Sequence, residues 1–206
     1  MEGMTMDIKQ IRRLRELTGV GITDAKKALV ETKGDFDKAL AAMRKKGLTK
    51  AEKRGEREAR AGVIGNYNHD GRIGVLVEVN CETDFVARNE LFTNLVKDIA
   101  MQIAASAPEY VGYDDVSAGD RKKVETEFSE IAKQKVSAGQ RTANMIPQIV
   151  EGMLKKHFAE KCLLDQPFIK NPDQTVGDYV KEHIAKLGEN IIIRRFKRLA
   201  LGEVTD

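Results

Sequence analysis

Along the first 47 positions, apolar residues recur at helical intervals. Ile8, Ile11, Leu14 and Leu17 step by three until TGVG at 18–21 interrupts them, which predicts a helix over Ile8–Leu17. Thr23 or its neighbour is a candidate cap for a second helix, DAKKALVETKG, whose Ala25, Ala28 and Leu29 share a face before Gly34 ends it. Asp35 opens a third, FDKALAAMRKKG, closed by Gly47. Residues 1–47 are therefore expected to form a small three-helix bundle, near the lower size limit for a domain that folds alone.

The stripe then disappears. Residues 48–61, LTKAEKRGEREARA, are almost wholly polar and read as an exposed linker or a solvated helix. Beyond them two β-rich runs, Val63–Asn68 and Arg72–Asn80, are joined by His69, Asp70 and Gly71. Asp-Gly between β-branched runs predicts a hairpin, because both residues tolerate positive φ. From Asn89 to Ala107 the residues Phe92, Leu95, Val96, Ile99 and Ile103 return to a helical period, and Pro108 stops it. A helix over Ser117–Ser137 carries a thinner stripe of Val124, Phe128, Ile131 and Val136, and another runs from Ile146 to about Cys162. QPFIKNPDQTV reads as a loop, Val176–Leu187 as a helix, and IIIRRFKRLALGEV as a third strand. The expected fold class is α+β: an N-terminal bundle, a linker, and a core over 62–206 in which helices pack a small three-stranded antiparallel sheet.

Composition adds mainly exclusions. With 35 basic and 32 acidic residues the net charge is only +3, which does not favour a dedicated nucleic-acid binder. Cys81 and Cys162 stand far apart with no CxxC or CxxxH pattern, so reduced thiols are expected and no zinc site is indicated. The N-terminal stretch lacks a signal-type apolar core and no run reaches the roughly 20 apolar residues of a membrane span, so a cytoplasmic protein is expected.

Catalytic patterns are also wanting. GVGITD at 19–24 has Asp24 where a dinucleotide fingerprint needs its third glycine, and it lies between helices; there is no GxxxxGK(S/T) either. His69, His157 and His183 are scattered, no GxSxG or HExxH accompanies them, and adjacent carboxylates such as Asp114 and Asp115 point apart on any regular element. Neither side-chain catalysis nor a bound cofactor is expected. Arg194, Arg195, Lys197 and Arg198 around Phe196 leave two readings: an RNA platform with an aromatic stacker, or an edge strand guarded by charge. The second is favoured.

One stretch resists the pattern. LVEVNCETDFVARNE sets the large aromatic Phe85 beside Asp84 just where a strand turns at the surface. Together with TGVGITDAKKALVETKGDFDKALAAMRKKG and QPFIKNPDQTVGDYVKEHIAKLGENI, it closely resembles the short type of the bacterial elongation factor Ts family, over about Ile8–Val204. The resemblance implies a guanine nucleotide exchange factor for elongation factor Tu, with a UBA-like N-terminal bundle. It implies that the loop of Thr83, Asp84, Phe85 and Val86 enters the partner beside its nucleotide and dislocates Mg²⁺, with Asp84 and Phe85 intruding. It further implies that Arg15, Ile22, Thr23 and Lys26 dock on the partner's G domain, and that His69 reaches a distal domain. Because only one GRIGVLVEVN hairpin is present where long members carry two related halves, a homodimer is expected. A UBA-like adaptor and a ribosome- or RNA-associated protein remain as other classes; neither requires the TDFV loop.

Overall fold

The computed structural model describes residues 8–52, 54–137 and 145–203. In chain order the elements are α1 (Ile8–Thr18), α2 (Ile22–Glu31), α3 (Phe36–Glu52), β1 (Ala61–His69), β2 (Ile73–Cys81), α4 (Asp84–Ala87) and α5 (Glu90–Ser106). They continue with α6 (Ala118–Ser137), α7 (Ile146–Lys161), β3 (Pro167–Phe168), β4 (Asn171–Thr175), α8 (Val176–Leu187) and β5 (Ile191–Ala200). The chain forms two compact units: one takes in everything up to Ala104 and everything from Gly177 on, and the other is Ala105–Val176. The fold is α+β, as expected.

The first unit begins with the bundle. Ile11, Leu14, Val20, Ala25, Ala28, Leu29, Ala39 and Met43 form its core, with Phe36 and Leu40 packed alongside. The stripe of α1 differs from the expected one: Ile11, Leu14 and Thr18 are buried, while Ile8 and Leu17 are exposed. Strict steps of three fall about 60° short of a full turn each time, so residues nine apart end on opposite sides. Thr23 is not a cap. The N-cap of α2 is Gly21, without a side-chain hydrogen bond, and Thr23 sits inside the first turn. Asp35 does open α3, its Oδ1 accepting from the Lys38 amide at 3.0 Å. That helix does not stop at Gly47 but continues to Glu52. A helical glycine costs only about 1 kcal/mol, and Ala51, 2% exposed, gains burial by the extension.

Residues 54–57 of the expected linker are pinned. Arg54 Nη1 donates to the Ile184 carbonyl at 3.2 Å, and Asn190 Nδ2 donates to the carbonyls of Gly55 and Arg57 at 3.2 and 2.7 Å.

The sheet has the order β1-β2-β5 and is antiparallel throughout. Asp70 and Gly71 take the turn at φ 51° and 68°, and the Arg72 amide closes it on the His69 carbonyl at 2.9 Å, the geometry that Asp-Gly favours. On one face Val75, Val77 and Val79 are buried, as are Phe92, Leu95, Val96, Ile99 and Ile103 of α5. Contact between β1 and α5 is so close at Gly65 that a Cβ there would lie 2.2 Å from Val96 Cγ1. The alternation of β-strands puts Ile64, Leu76 and Leu199 on the other face, and all three are exposed. On the edge strand β5, Arg194 donates to Asn80 Oδ1, Arg195 pairs with Glu78 at 2.7 Å, and Arg198 pairs with Glu203. Arg194 and Arg195 of the basic cluster are thus engaged on their own sheet, and Arg198 just beyond its end.

In the second unit α6 packs on α7 around Val116, Phe158 and Cys162. QPFIKNPDQTV is not a plain loop: β3 and β4 pair through Pro167 with Thr175 and Phe168 with Asn171, and Phe168 is buried. Both prolines sit in a two-stranded ladder, where a missing donor is tolerated.

Candidate functional site

β2 ends at Cys81, and within three residues the chain starts α4. Thr83 is extended and caps that helix, its Oγ1 accepting from the Val86 amide at 3.4 Å. The four residues of α4 then divide. Val86 and Ala87 are 6% and 5% exposed and seat the helix, which touches β1 and β2. Asp84 is exposed, and Phe85 presents 82% of its surface to solvent. Of the TDFV set, therefore, only the central pair projects, and Val86 is an anchor.

The base of the loop is held by groups distant in sequence. The Glu189 carboxylate accepts from the amides of Glu82 and Thr83, each at 3.1 Å, and from Thr83 Oγ1 at 2.7 Å. In return Glu82 Oε1 accepts from the Asn190 amide at 2.7 Å and lies 3.6 Å from Arg57 Nη1. Cys81 Sγ donates to the Thr83 carbonyl at 3.2 Å. Burial, and next the Glu189 charge, push that thiol up to about 11, so it is an inert buried group beside the loop.

Arg15, Ile22, Thr23 and Lys26 are all exposed, and they flank one turn, residues 18–21. Ile22 and Lys26 stand i, i+4 on α2. The turn itself rests on α8: a Cβ on Gly19 would lie 2.6 Å from the Ala185 carbonyl oxygen and from the Lys186 Cα. His69 lies elsewhere. It is exposed at the hairpin tip with Nδ1 3.1 Å from Tyr67 Oη, at the opposite end of the nine-residue β2 from the loop. A strand of that length spans roughly 26 Å.

Comparison with known proteins agrees with these motifs. Residues 48–203 match the family described as Elongation factor TS. The chain belongs to the elongation factor Ts family. Elongation factor Ts of Thermodesulfovibrio yellowstonii is 48% identical over 203 residues, 98% of this chain and 100% of that one. Elongation factor Ts of Geobacter metallireducens is 51% identical over 97% of this chain and 91% of its own, and that of Carboxydothermus hydrogenoformans 52% over 95% and 88%.

The stretch matched to elongation factor Ts contains both the loop and its clamp. Glu82, Glu189 and Asn190 escaped sequence reasoning as contributors to the site. The available signal was GEN in KLGENI, a conspicuous polar triplet between an amphipathic helix and an apolar strand. Among the described residues no group of His, Cys, Asp and Glu could hold a metal, and no helix is long and apolar enough to cross a membrane.

Proposed function

We propose that this chain is a translation elongation factor that binds GDP-bound elongation factor Tu and promotes GDP release, so that GTP can enter. The observation that carries the reading is Phe85: an aromatic with 82% of its surface in water, on a helix whose neighbouring residues Val86 and Ala87 are buried. An exposed phenylalanine held this firmly is suited to enter a partner. GDP is held largely through its phosphates, by backbone N–H groups and a bridging Mg²⁺. Phe85 acts as a wedge against the elements that carry those ligands, while Asp84 bonds the groups it displaces. Once the Mg²⁺ ligands move, the diphosphate charge is poorly compensated and GDP leaves. No covalent chemistry is asked of this chain.

Binding of factor and of nucleotide weaken each other by the same factor, so incoming GTP releases the exchange factor in turn. A thousandfold weakening requires roughly 4 kcal/mol of differential contact. One buried phenylalanine contributes about 2–3 kcal/mol of that, and a second docking surface supplies the remainder. Arg15, Ile22, Thr23 and Lys26 form that surface on the N-terminal bundle, a docking domain whose last helix, α3, runs on to Glu52 before the chain reaches the core. His69, at the far end of the hairpin, contacts a different domain of the same partner. Two copies of the chain associate through the open face of the sheet, where Ile64, Leu76 and Leu199 are 67%, 55% and 68% exposed. Light scattering at micromolar concentration would return twice the 23.0 kDa chain mass. The site of action is the cytoplasm.

The deciding experiment is release of labelled GDP from elongation factor Tu with the wild type, Asp84→Ala and Phe85→Ala. Acceleration by the wild type that both variants lose supports the reading. Equal acceleration by all three removes the wedge mechanism.

A further inference from the structure

We infer that Glu189 is a positioning residue for the exchange wedge, fixing the direction in which Asp84 and Phe85 leave the surface and their offset from the docking bundle. The inference rests on the exchange reading above. It starts from α4, a helix of four residues that is far too short to hold itself. Burial of Val86 and Ala87 seats its far end. Its near end is set by the Glu189 carboxylate, which takes the amides of Glu82 and Thr83 on Oε2 and the Thr83 hydroxyl on Oε1. An ionised carboxylate has two acceptor oxygens, whereas an amide side chain of equal size has one and turns a donor toward the remaining groups. Charge-assisted bonds of this kind are also about twice as strong as neutral ones.

The same short segment carries the other docking element. Ile184 takes Arg54, Ala185 and Lys186 meet the backbone of Gly19, and Asn190 holds Gly55, Arg57 and the Glu82 side chain. Residues 184–190 are therefore a common mount: the TGVG turn, with Ile22, Thr23 and Lys26 beside it, rests on one end and the wedge on the other. A partner gripped by the bundle meets Phe85 at a distance and angle set by this junction. A group acting only as a tie between β2 and β5 would stabilise the sheet without affecting what Phe85 achieves.

The test uses elongation factor Tu loaded with fluorescent GDP and the full chain carrying Glu189→Gln, alone and combined with Phe85→Ala. Displacement of a positioned group by about 1 Å costs up to about a hundredfold in rate. The expected result is a maximal release rate at least tenfold lower, a half-saturating concentration within about threefold of wild type, and a double variant that falls below Phe85→Ala by much less than the factor Glu189→Gln costs the wild type, because Asp84 alone is left to misplace. Amide exchange at Thr83 in the free protein should rise at least tenfold. If circular dichroism shows that Glu189→Gln loses the fold, Glu189→Asp, which keeps the charge but is one methylene shorter, takes its place. A wild-type maximal rate in the variant, an effect that adds in full to that of Phe85→Ala, or unprotected amides at Glu82 and Thr83 in the wild type would each overturn the inference. A wild type that does not accelerate release sinks the exchange reading and this inference with it; acceleration left intact by Glu189→Gln sinks this inference alone.

Discussion

Gly19→Ala tests the physical link between the docking bundle and the core. Gly19 has φ +65°, and an added Cβ would lie 2.6 Å from both the Ala185 carbonyl oxygen and the Lys186 Cα. Both are backbone atoms, so no flexible side chain can yield. The left-handed backbone alone costs an alanine about 1–2 kcal/mol. Ordinary contact begins at 3.4 Å, so the turn must retreat by about 0.8 Å, from 3.4 minus 2.6. A gap of that order forfeits between a quarter and a half of the dispersion attraction across it. The expected destabilisation is about 2–4 kcal/mol, read from urea unfolding followed by far-UV circular dichroism. Gly19→Asn separates the two causes, because asparagine tolerates the left-handed region but still carries the Cβ; it should fall between wild type and alanine. In GDP release the bundle variant should raise the half-saturating concentration and, because the turn shifts against the mount that sets its offset from the wedge, lower the maximal rate as well, whereas Glu189→Gln lowers the maximal rate alone. A loss below about 0.5 kcal/mol for Gly19→Ala, with the half-saturating concentration unmoved, would refute both the close approach and its role.

Other consequences follow from burial and charge. Phe85→Ala should leave stability within about 0.5 kcal/mol, because the ring is 82% exposed, yet slow exchange by about 30- to 150-fold, the equivalent of 2–3 kcal/mol. Val86→Ala, at a position only 6% exposed, should instead lower stability by about 1–3 kcal/mol in the same urea titration. His183 is buried and its pKa is lowered, first by that burial, so the folded state keeps it neutral while the unfolded chain protonates near 6.5. Its contribution is complete above 6.5 and is lost as pH falls below it, so unfolding measured from pH 8 to 5 should show a decline that His183→Gln flattens. Cys81 and Cys162 are buried with their thiols pushed up to about 11, chiefly by that burial; neither should react with a thiol reagent at pH 8 until denaturant is added.

What the sequence revealed depended on how local the cause is. The Asp70-Gly71 turn and the stripe of α5 were legible because turn chemistry and helical period act within a few residues. Ile8 and Leu17 fall outside the buried stripe because a spacing of three only approximates the helical repeat. Gly47 reads as a stop on propensity alone, whereas burial of Ala51 carries the helix through it. Prolines in QPFIKNPDQTV hid a small ladder whose second strand supplies the pairing. At the site, Phe85 stands out as an aromatic in a polar turn, and the resemblance implies the role proposed for it. The clamp was invisible for a different reason: Glu189 and Thr83 are 106 positions apart, and nothing in the local pattern of either announces the other.

The most direct measurement is the rate at which elongation factor Tu releases fluorescent GDP when a substoichiometric amount of this protein and excess unlabelled nucleotide are added. The account predicts release accelerated by about a hundredfold or more, with every molecule of exchange factor turning over repeatedly because nucleotide and factor expel one another. Release at the unassisted rate, or acceleration limited to one molecule of GDP per molecule of factor, would contradict it.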